Sequence, residues 1–558
     1  MGSSIEETNK PSNLYDSPSS PTRPLLSNPY PSPSIEEQPH HAADPSFDSD
    51  QTQFLQITYN HGPRLFKDWL FLLLFVLLSL CTIAFGIFSI AHKNSSYYNV
   101  SSYTYDSSSS SCVKNSTSLS YGLIFNSGSS FSVYFFNGSK IFRASSSSFV
   151  RGLIWALVIT FILSAPIMWS VLLLLKHYTK QIVYVSVPFF VLIPIGINVY
   201  WFVACTVSSS CSDAFPLVYR IIVLVFVFLV IGVIVWIFVL NWHRIELTTK
   251  IIGVASDALS KNLALFVVLP CLTLGLVVYY VPIVVFLVFA RFNGNIVPRE
   301  SDGEYYCVWK QDSWVPAYYA LAIITMLWSA AVTVETKAYV ISGTIAQWYF
   351  SKDDSTPKRK IRSSLRNAFG PSFGSICLSG LLIFVVRIIR VTVDSARQED
   401  VPGIINLILR CCVNTFLSAI DFLNKFTINF VAITGEAYCT SARMTYELLK
   451  RNLLSAVFVE TISTRLLAGV IFVISTIYAI VLCAILNGAT DLGVDVYYVA
   501  ALAWLLLMVV LGFLVHVLDN VIDTVYVCYA IDRDRGEVCK TDVHEVYVHL
   551  PISRSQRF

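Results

Sequence analysis

Charged side chains occur inside several long apolar runs of the sequence, where burial is costly and a functional role is the first hypothesis. The acidic candidates are Glu335 and Asp421, either of which would balance the charge of a bound cation. Asp421 and Lys425 stand four residues apart, a spacing that places both on one helical face and allows them to pair. The alternative is that such residues lie at the membrane interface and extend to water.

Aromatic residues make up 14% of the chain, and a cage of rings is a natural receptor for a quaternary ammonium group. Such a cation has no N–H to donate, so the ring faces must hold it, at about 0.5–2 kcal/mol per contact. For each ring, packing or a place in the interfacial aromatic belt is the alternative. The candidates for an internal site are Trp155, Trp169, Tyr200, Trp201, Trp328, Trp348 and Tyr349.

One motif resembles a catalytic one. Residues Gly370–Gly374 read G-P-S-F-G and match the G-x-S-x-G nucleophile elbow, which requires a preceding strand and a following soluble helix. Here a basic loop precedes the motif and an apolar run follows it. We therefore expect no enzyme. We interpret Gly374, Ser375, Ser379 and Gly380 as a face of small residues that lets another helix approach closely.

Metal and cofactor motifs are missing from the sequence. The 13 cysteines show no C-x-x-C spacing, and the nine histidines form no H-E-x-x-H. No G-x-x-x-x-G-K-[ST] loop is present for ATP. We expect no resident metal and no cofactor.

The composition indicates which elements position these side chains. Hydrophobic residues make up 55% of the 558 residues and charged residues only 13%, against about 25% charged in soluble domains. The polar residues are too few to cover a water-soluble surface, so the chain is a multi-spanning membrane protein. The net charge of +3 is too small for a nucleic-acid partner.

We predict an all-α membrane protein with about ten transmembrane helices, because ten apolar stretches reach the roughly 20 residues that a 30 Å hydrocarbon core requires. The eighth is the weakest, since Asp421, Asn424 and Lys425 interrupt it. Gly343–Ala346 and Gly435 are expected to break the helix near a cavity, as in transporters, or simply to end a span. The stretches lie near 69–91, 151–175, 181–204, 216–240, 262–290, 315–340, 368–391, 403–434, 463–486 and 495–517.

The regions outside the membrane differ in composition. Residues 1–60 hold nine of the 22 prolines and no long aliphatic run, which predicts a disordered cytosolic tail without a cleaved signal peptide. A membrane domain follows at 61–520, with an outer loop at 92–149 and a basic cytosolic loop at 351–367. Residues 521–558 are predicted to form a cytosolic C-terminal tail.

Two patterns predict the orientation. All N-x-[ST] sequons lie between the first two spans, which makes that loop extracellular or lumenal if it is glycosylated. Chance sequons in Ser-rich sequence are the alternative. The short loops on the opposite side carry fourteen Lys and Arg residues against four on the sequon side, so both termini are expected in the cytosol. The sequons are Asn94, Asn99, Asn115 and Asn137.

Four cysteines then lie on the oxidising side, where disulfides persist. Cys205 and Cys211 share a short loop and are candidates to pair, or either could reach Cys112 or Cys307. The sequence leaves this connectivity open.

Several segments, in their order and spacing, resemble the choline transporter-like (solute carrier 44) family, most strongly between about 240 and 545. The resemblance implies ten spans, a glycosylated loop after the first, cytosolic termini and transport of choline or a related amine. The segments are GTIAQWYF at Gly343–Phe350, IRSSLR at Ile361–Arg366, FGS at Phe373–Ser375, ITGEAYCTSAR at Ile433–Arg443, LLKRN at Leu448–Asn452 and DTVYVCY at Asp523–Tyr529.

From these observations we expect a transporter of choline or another organic cation, facilitative or coupled to protons or membrane potential rather than to ATP. Rings of the second, third and sixth spans would enclose the ammonium. The amine and membrane lipids are the expected partners, and the plasma membrane is the expected location, with an internal membrane as the alternative. The alternative functions are a channel, a lipid-handling protein or a membrane scaffold without transport.

Overall fold

The structure is a computed structural model of the chain. The predicted N-terminal tail, apart from Tyr59, lies outside the described residues, as do Asn115, Asn137 and the central part of the basic loop. The described residues are Tyr59, 64–114, 147–207, Cys211, 216–240, 242–301, 304–351, 360–395, 403–489, Gly493 and 495–550.

Helices form most of the described chain. Two antiparallel hairpins, β1 (Tyr103–Asp106) with β2 (Ser111–Lys114) and β3 (Gly294–Ser301) with β4 (Glu304–Gln311), accompany them. A 3-10 helix covers Ser95–Ser102. The α-helices in the described ranges are α1 Trp69–Ala91, α2 Ser147–Val207, α3 Leu217–Leu240, α4 Trp242–Ser260, α5 Leu265–Ala290, α6 Val315–Tyr349, α7 Lys360–Ala368, α8 Phe373–Ser395, α9 Gly403–Thr434, α10 Tyr438–Ala489, α11 Asp495–Arg535 and α12 Thr541–Tyr547.

The predicted spans lie within these helices, which confirms a helical multi-pass membrane protein. Eight described helices are long and apolar enough to cross a membrane. One of them, α2, contains both the second and the third predicted span, and its backbone leaves helical geometry between them at Tyr178. The fourth predicted span corresponds to α3, a helix of 24 residues from Leu217 to Leu240.

Helix α6 lies at the centre of the bundle. It packs against α1, α5, α8, α9 and α11. From Tyr339 to Tyr349 most of its side chains are buried, so this half has protein on nearly every side. Helix α11 packs against α2, α4, α6 and α10, and it completes the interior of the bundle. Any polar side chain on the inner faces of α6, α9 or α11 must therefore find its partner within the protein.

The hairpins lie together at one end of the bundle, here called the hairpin face. The Cys112–Cys307 disulfide joins β2 to β4, and Cys205 pairs with Cys211. The sequence left open whether Cys205 and Cys211 pair with each other or with Cys112 or Cys307, and in the structure they pair with each other. The predicted all-α fold is thus correct for the membrane region, whereas the outer loops form short strands, which satisfy their backbone groups through ladder hydrogen bonds.

Two predicted boundaries differ from the structure. Gly343–Ala346 does not break the helix, since α6 continues to Tyr349, and a Cβ at Gly343 would lie 2.9 Å from Ser364 Oγ of α7. This glycine allows close packing instead of a turn. The predicted C-terminal tail from residue 521 is also displaced, because α11 continues to Arg535 and Val521–Ile531 is buried against the other helices.

Candidate functional site

A row of polar residues follows α9 through the interior of the bundle. Asn424 and Asn429 are buried, and Lys425 is largely so. Asn429 Oδ1 accepts a hydrogen bond from Ser342 Oγ of α6 at 2.6 Å, and Thr524 Oγ1 of α11 donates to the same serine at 3.0 Å. The polar residues that weakened the sequence signal for this span therefore connect α9 to its neighbours.

Glu335 lies in the middle of this polar interior, with only 7% of its surface exposed. Its Oε2 accepts from Ser379 Oγ of α8 at 2.7 Å and from Asn424 Nδ2 at 3.2 Å. Tyr438 Oη donates to Asn424 Oδ1 at 2.5 Å, which extends the network to the start of α10. Among the described residues no cation forms an ion pair with Glu335, although Arg387 attracts it through space. Its hydrogen-bond partners are neutral.

The predicted pairing of Asp421 with Lys425 does not occur. Asp421 Oδ2 instead lies 2.9 Å from Arg390 Nη2 of α8. Lys425 Nζ lies 2.7 Å from Asp519 Oδ2 and 2.6 Å from Asp523 Oδ2 of α11, and 3.2 Å from Glu460 Oε1 of α10. The reason is tertiary: α9 is surrounded by other helices, and the carboxylates of α10 and α11 compete successfully with the local partner.

A cavity of about 290 Å³ lies between α1, α5, α6 and the start of α8. Its aromatic lining includes Phe75, Tyr279, Phe369 and Phe373, and α6 contributes hydroxyl groups, including that of Thr333. The volume is near the lower end of the roughly 300–1,000 Å³ range of ligand sites. Rings and hydroxyls together suit a small ligand with both apolar and polar parts.

The cavity and the buried carboxylate lie along the same helix. Val332 of α6 lines the cavity, and Glu335 follows it by three residues, which places the two side chains on neighbouring positions of the helix surface. Trp328, a predicted site residue, packs edge-on against Phe75 of the cavity at 5.2 Å between ring centroids. Its Nε1 donates to Cys377 O at 3.2 Å, so the indole is buried and fixed behind the cavity wall.

The other predicted aromatic residues are not brought to this cavity. Trp155, Trp169 and Tyr200 lie on the outer surface of α2, with 63%, 43% and 75% of their surfaces exposed. Trp201 lines a separate groove of about 560 Å³ between α2 and α3, together with Tyr219. The rings assigned to the second and third spans thus do not join those of the sixth in one cage.

Trp348 and Tyr349 lie at the end of α6 that is remote from the hairpin face. The ammonium groups of Lys261 and Lys540 each lie 5.7 Å from the centroid of the Trp348 ring, so this ring already contacts cations. Tyr349 Oη donates to Asp532 Oδ2 at 3.1 Å. Both residues connect α6 to the C-terminal segment, defined here as residues 532–550.

The described residues contain one group with metal-ligand spacing, Asp532, Glu537 and Cys539, whose ligand atoms lie within 4.8 Å of one another. Asp532 is already occupied as an acceptor from Tyr349, from the Cys539 backbone and from His544. Burial and the Asp532 carboxylate raise the pKa of the Cys539 thiol to about 12, so it is protonated and donates to Asp532 Oδ1. This group fastens the C-terminal segment to the bundle.

The two described sequons are close to the β3–β4 hairpin and the 3-10 helix. Asn94 Nδ2 donates to Gly294 O at 3.1 Å, and Asn94 Oδ1 accepts from Ser96 N at 3.0 Å. Asn99 lies within the 3-10 helix Ser95–Ser102. Both are at the hairpin face, the face that carries the disulfides.

The helix break predicted at Gly435 is present, and residues that the sequence did not indicate occupy it. Gly435 has φ +73° and separates α9 from α10. Arg64, Lys67 and Asp68, which precede α1, lie against this break. The G-P-S-F-G motif is adjacent, and a Cβ at Gly374 would lie 2.4 Å from Asp68 O, so the motif is required for close packing.

Known proteins with similar sequences support the same family. A family model described as "Plasma-membrane choline transporter" matches residues 225–534. Choline transporter-like protein 2 of Dictyostelium discoideum is 26% identical over 333 residues, which cover 57% of this chain and 52% of that protein. Choline transporter-like protein 3 of Homo sapiens is 26% identical over 316 residues, covering 54% and 47%. The matched region spans about half or less of the curated relatives' lengths.

Proposed function

The chain belongs to the choline transporter-like family, and from this membership we propose that it carries choline or a related organic cation across a membrane. The family match covers α9, α10 and nearly all of α11, together with Glu335 and the polar network around it. The substrate names of the relatives are consistent with a quaternary or substituted ammonium ion.

Glu335 is the observation that carries this proposal. A carboxyl group buried among neutral hydrogen-bond partners, with no ion pair among the described residues, is unfavourable as an ion at membrane depth unless a cation or a proton balances its charge. A transported ammonium ion supplies that balance while it passes. Asp421, the other acidic candidate, is already paired with Arg390. We therefore assign the role of counter-ion to Glu335.

The rings of the cavity beside α6 would hold the apolar part of the substrate. Phe75, Tyr279, Phe369 and Phe373 supply aromatic surface for methylated ammonium groups, and hydroxyls on α6 can accept a hydrogen bond from a substrate hydroxyl. Trp328 supports this wall from behind. Trp155, Trp169 and Tyr200 are exposed on α2, and we propose that they contact lipid instead.

The substrate gradient and the membrane potential are sufficient driving forces for this proposal. A singly charged cation gains about 2.3 kcal/mol for each 100 mV of favourable potential. That energy would concentrate the substrate more than tenfold, since 1.4 kcal/mol corresponds to a factor of ten. Coupling to ATP is not needed.

The orientation we propose has the hairpin face outside the cell and both termini in the cytosol. The Cys112–Cys307 disulfide, the sequons and the excess of Lys and Arg in the opposite loops all favour it. The plasma membrane is the proposed location. We also propose that the transport domain begins near residue 61, after the N-terminal tail.

Labelled choline flux into proteoliposomes of the purified protein tests the proposal. We expect saturable uptake that unlabelled choline competes away and that an inside-negative potential accelerates. A channel would instead give conductance without saturation at low substrate concentrations, and a lipid-handling protein would move labelled lipid. Folded protein with no uptake of choline or of other organic amines would contradict the proposed function.

A further inference from the structure

The five residues that precede α1, Arg64–Asp68, here called the juxtamembrane segment, lie against the end of the bundle opposite the hairpin face, with the charged side chains partly buried and Leu65 and Phe66 exposed. The Lys67 backbone N–H donates to Pro371 O at 3.4 Å, next to the start of α8. Tyr59, a few residues earlier, is buried, and its ring stacks on Phe350 at 6.2 Å. Tyr59 and the polar groups of the segment therefore contact the bundle, whereas the side chains of Leu65 and Phe66 face outward.

Arg64 binds the C-terminal end of α9. Its Nη2 donates to Ala432 O at 2.8 Å and to Ile433 O at 3.4 Å, and its Nη1 donates to Val431 O at 3.4 Å. The last carbonyls of a helix lack intrahelical partners and carry the negative end of its dipole, so a guanidinium group is a favourable partner there. Nη1 also donates to Tyr339 Oη of α6 at 2.6 Å.

Asp68 binds the N-terminal end of α10. Its Oδ2 accepts from the Tyr438 backbone N–H at 2.8 Å and from Ser375 Oγ of α8 at 2.6 Å. A carboxylate is favourable at the positive end of a helix dipole, where it satisfies free N–H groups. Between the two, Lys67 pairs with Glu436, which lies within the helix break itself. One short segment thus satisfies both helix ends at the break with charges of the correct sign.

The backbone on both sides leaves room for this segment. A Cβ at Gly374 would lie 2.4 Å from Asp68 O, and one at Gly435 would lie 3.1 Å from the Arg64 side chain. Gly435 also has φ +73°, which residues with a side chain rarely adopt. Glycine at these two positions is what permits the segment to enter.

The segment is connected to the buried carboxylate of the proposed substrate site. Asp68 binds the Tyr438 backbone, Tyr438 Oη donates to Asn424, and Asn424 Nδ2 donates to Glu335. Movement of the segment away from α10 would release Tyr438 and alter the hydrogen bonds of Glu335. Binding at Glu335 and opening at this end of the bundle are therefore linked through named contacts.

We infer that the juxtamembrane segment is a gate, held closed in this structure by Arg64, Lys67 and Asp68, which opens the bundle on the side of the N-terminus. The inference rests on the proposed transport for its purpose, but the movement itself can be measured without a substrate. The contacts of Arg64, Lys67 and Asp68 are charge-assisted hydrogen bonds, which are stronger than neutral ones and can stabilise the closed state. Because only three side chains make them, the segment can leave the bundle in one movement.

Thiol accessibility at Ser372 tests the gate. Ser372 is buried beneath the segment, where it accepts a hydrogen bond from Tyr339 Oη at 2.9 Å. In Ser372→Cys protein in lipid nanodiscs, maleimide labelling of the introduced thiol is followed by mass spectrometry, which separates it from the native cysteines. Arg64→Gln or Lys67→Glu should accelerate this labelling about tenfold, the order expected when a charged hydrogen bond is lost. Arg443→Gln, an exposed arginine of α10, is the matched control and should leave the rate unchanged.

A charge exchange keeps the test decisive if a single variant fails to fold. Lys67→Glu combined with Glu436→Lys restores the ion pair with reversed polarity, so slow labelling should return. Equal labelling rates in the parent, in the folded single variants and in the charge-exchanged protein would overturn the gate. Labelling that follows the charges in a protein without choline flux would support the gate and contradict only the proposed transport.

Discussion

Buried charged residues in the bundle differ in whether another charge balances them. Lys425 is surrounded by carboxylates of two helices, and Asp421 has an arginine partner, whereas Glu335 has neutral hydrogen-bond partners. Compensated charges connect helices, and an uncompensated one is available to a cationic ligand. This distinction could not be made from the sequence, because it depends on residues that are far apart along the chain, such as Lys425 and Asp519, which are 94 positions apart.

Lys425→Met tests the structural role of the paired charges. The substitution removes the cation from three carboxylates, of which Asp523 is fully buried, and breaking such a buried pair costs about 3–5 kcal/mol. We expect a large drop in thermal stability in detergent. Lys450→Met, at an exposed lysine of α10, is the control and should change stability little. Equal melting temperatures for the two variants would show that the cluster does not hold α9 in place.

Asp257 gives a prediction about pH outside the membrane-spanning helices. Burial alone raises its pKa, but hydrogen bonds from Lys261 and Lys176 outweigh that effect and hold the pKa below its usual 3.8. A lowered pKa in the folded state contributes stability above the unfolded value, and that contribution is lost as pH falls through the folded value.

Asp257→Asn should therefore lower the melting temperature at pH 7, and the difference from the parent protein should shrink as the pH falls below about 4, where unfolded Asp becomes protonated. Thermal unfolding of both proteins across this range measures it. Asp542→Asn, at an exposed carboxylate, serves as the control. A difference that persists unchanged at low pH would contradict the role of the ion pairs.

At the scale of helices, α6 and α8 approach each other closely where both carry small residues. A Cβ at Gly380 would lie 2.8 Å from Val332 Cγ2 and 2.9 Å from the Val332 backbone nitrogen. The backbone of α6 would have to move to relieve this clash. This contact positions Ser379 against Glu335. The sequence correctly indicated a close helix contact in this part of α8, although not which helix it meets.

Gly380→Ala should separate α6 from α8 and cost about 1–3 kcal/mol, as overpacking typically does. Gly512→Ala in α11 is the matched control, because an added Cβ there meets nothing within 4 Å and alanine favours the helix. Melting temperatures of the two variants, measured side by side in detergent, provide the comparison. The prediction fails if Gly380→Ala is as stable as Gly512→Ala.

The spans were predictable because each requires about 20 apolar residues, a local property of the chain. Contacts between helices are not local, so the network around Glu335 and the entry of Arg64–Asp68 into the bundle could not be predicted. The same holds for the aromatic residues. Composition shows that Trp155 and Trp328 lie in membrane helices, but only the packing of α2 and α6 shows that one is exposed and the other buried.

At the scale of the whole molecule, the disulfide Cys112–Cys307 links two loops that are 195 residues apart in sequence, and it lies at the face proposed to be extracellular. Reduction would remove a constraint on a long loop, for which typical stabilisation is about 2–4 kcal/mol. Because consecutive spans cross the membrane in alternating directions, the side on which this disulfide lies also determines the orientation of the other spans.

In sealed cells, a membrane-impermeant reductant followed by an impermeant maleimide should label Cys112 and Cys307, as detected by mass spectrometry of the purified protein. The result is expected because both lie outside in the proposed orientation. Cys439, an exposed free cysteine at the start of α10 on the opposite side of the bundle, should be labelled only after the cells are permeabilised. Labelling in the reverse order would show that the orientation is wrong.

The proposal that Glu335 balances the charge of the transported cation is tested most directly by choline flux into proteoliposomes that contain either the parent protein or Glu335→Gln. The glutamine keeps the size and hydrogen-bonding capacity of the side chain but removes the charge, so we expect uptake to fall at least tenfold while the protein stays folded. Asp421→Asn, which leaves Glu335 intact, should retain most of the uptake. Full uptake by Glu335→Gln would contradict the assignment of Glu335 as the counter-ion of the substrate.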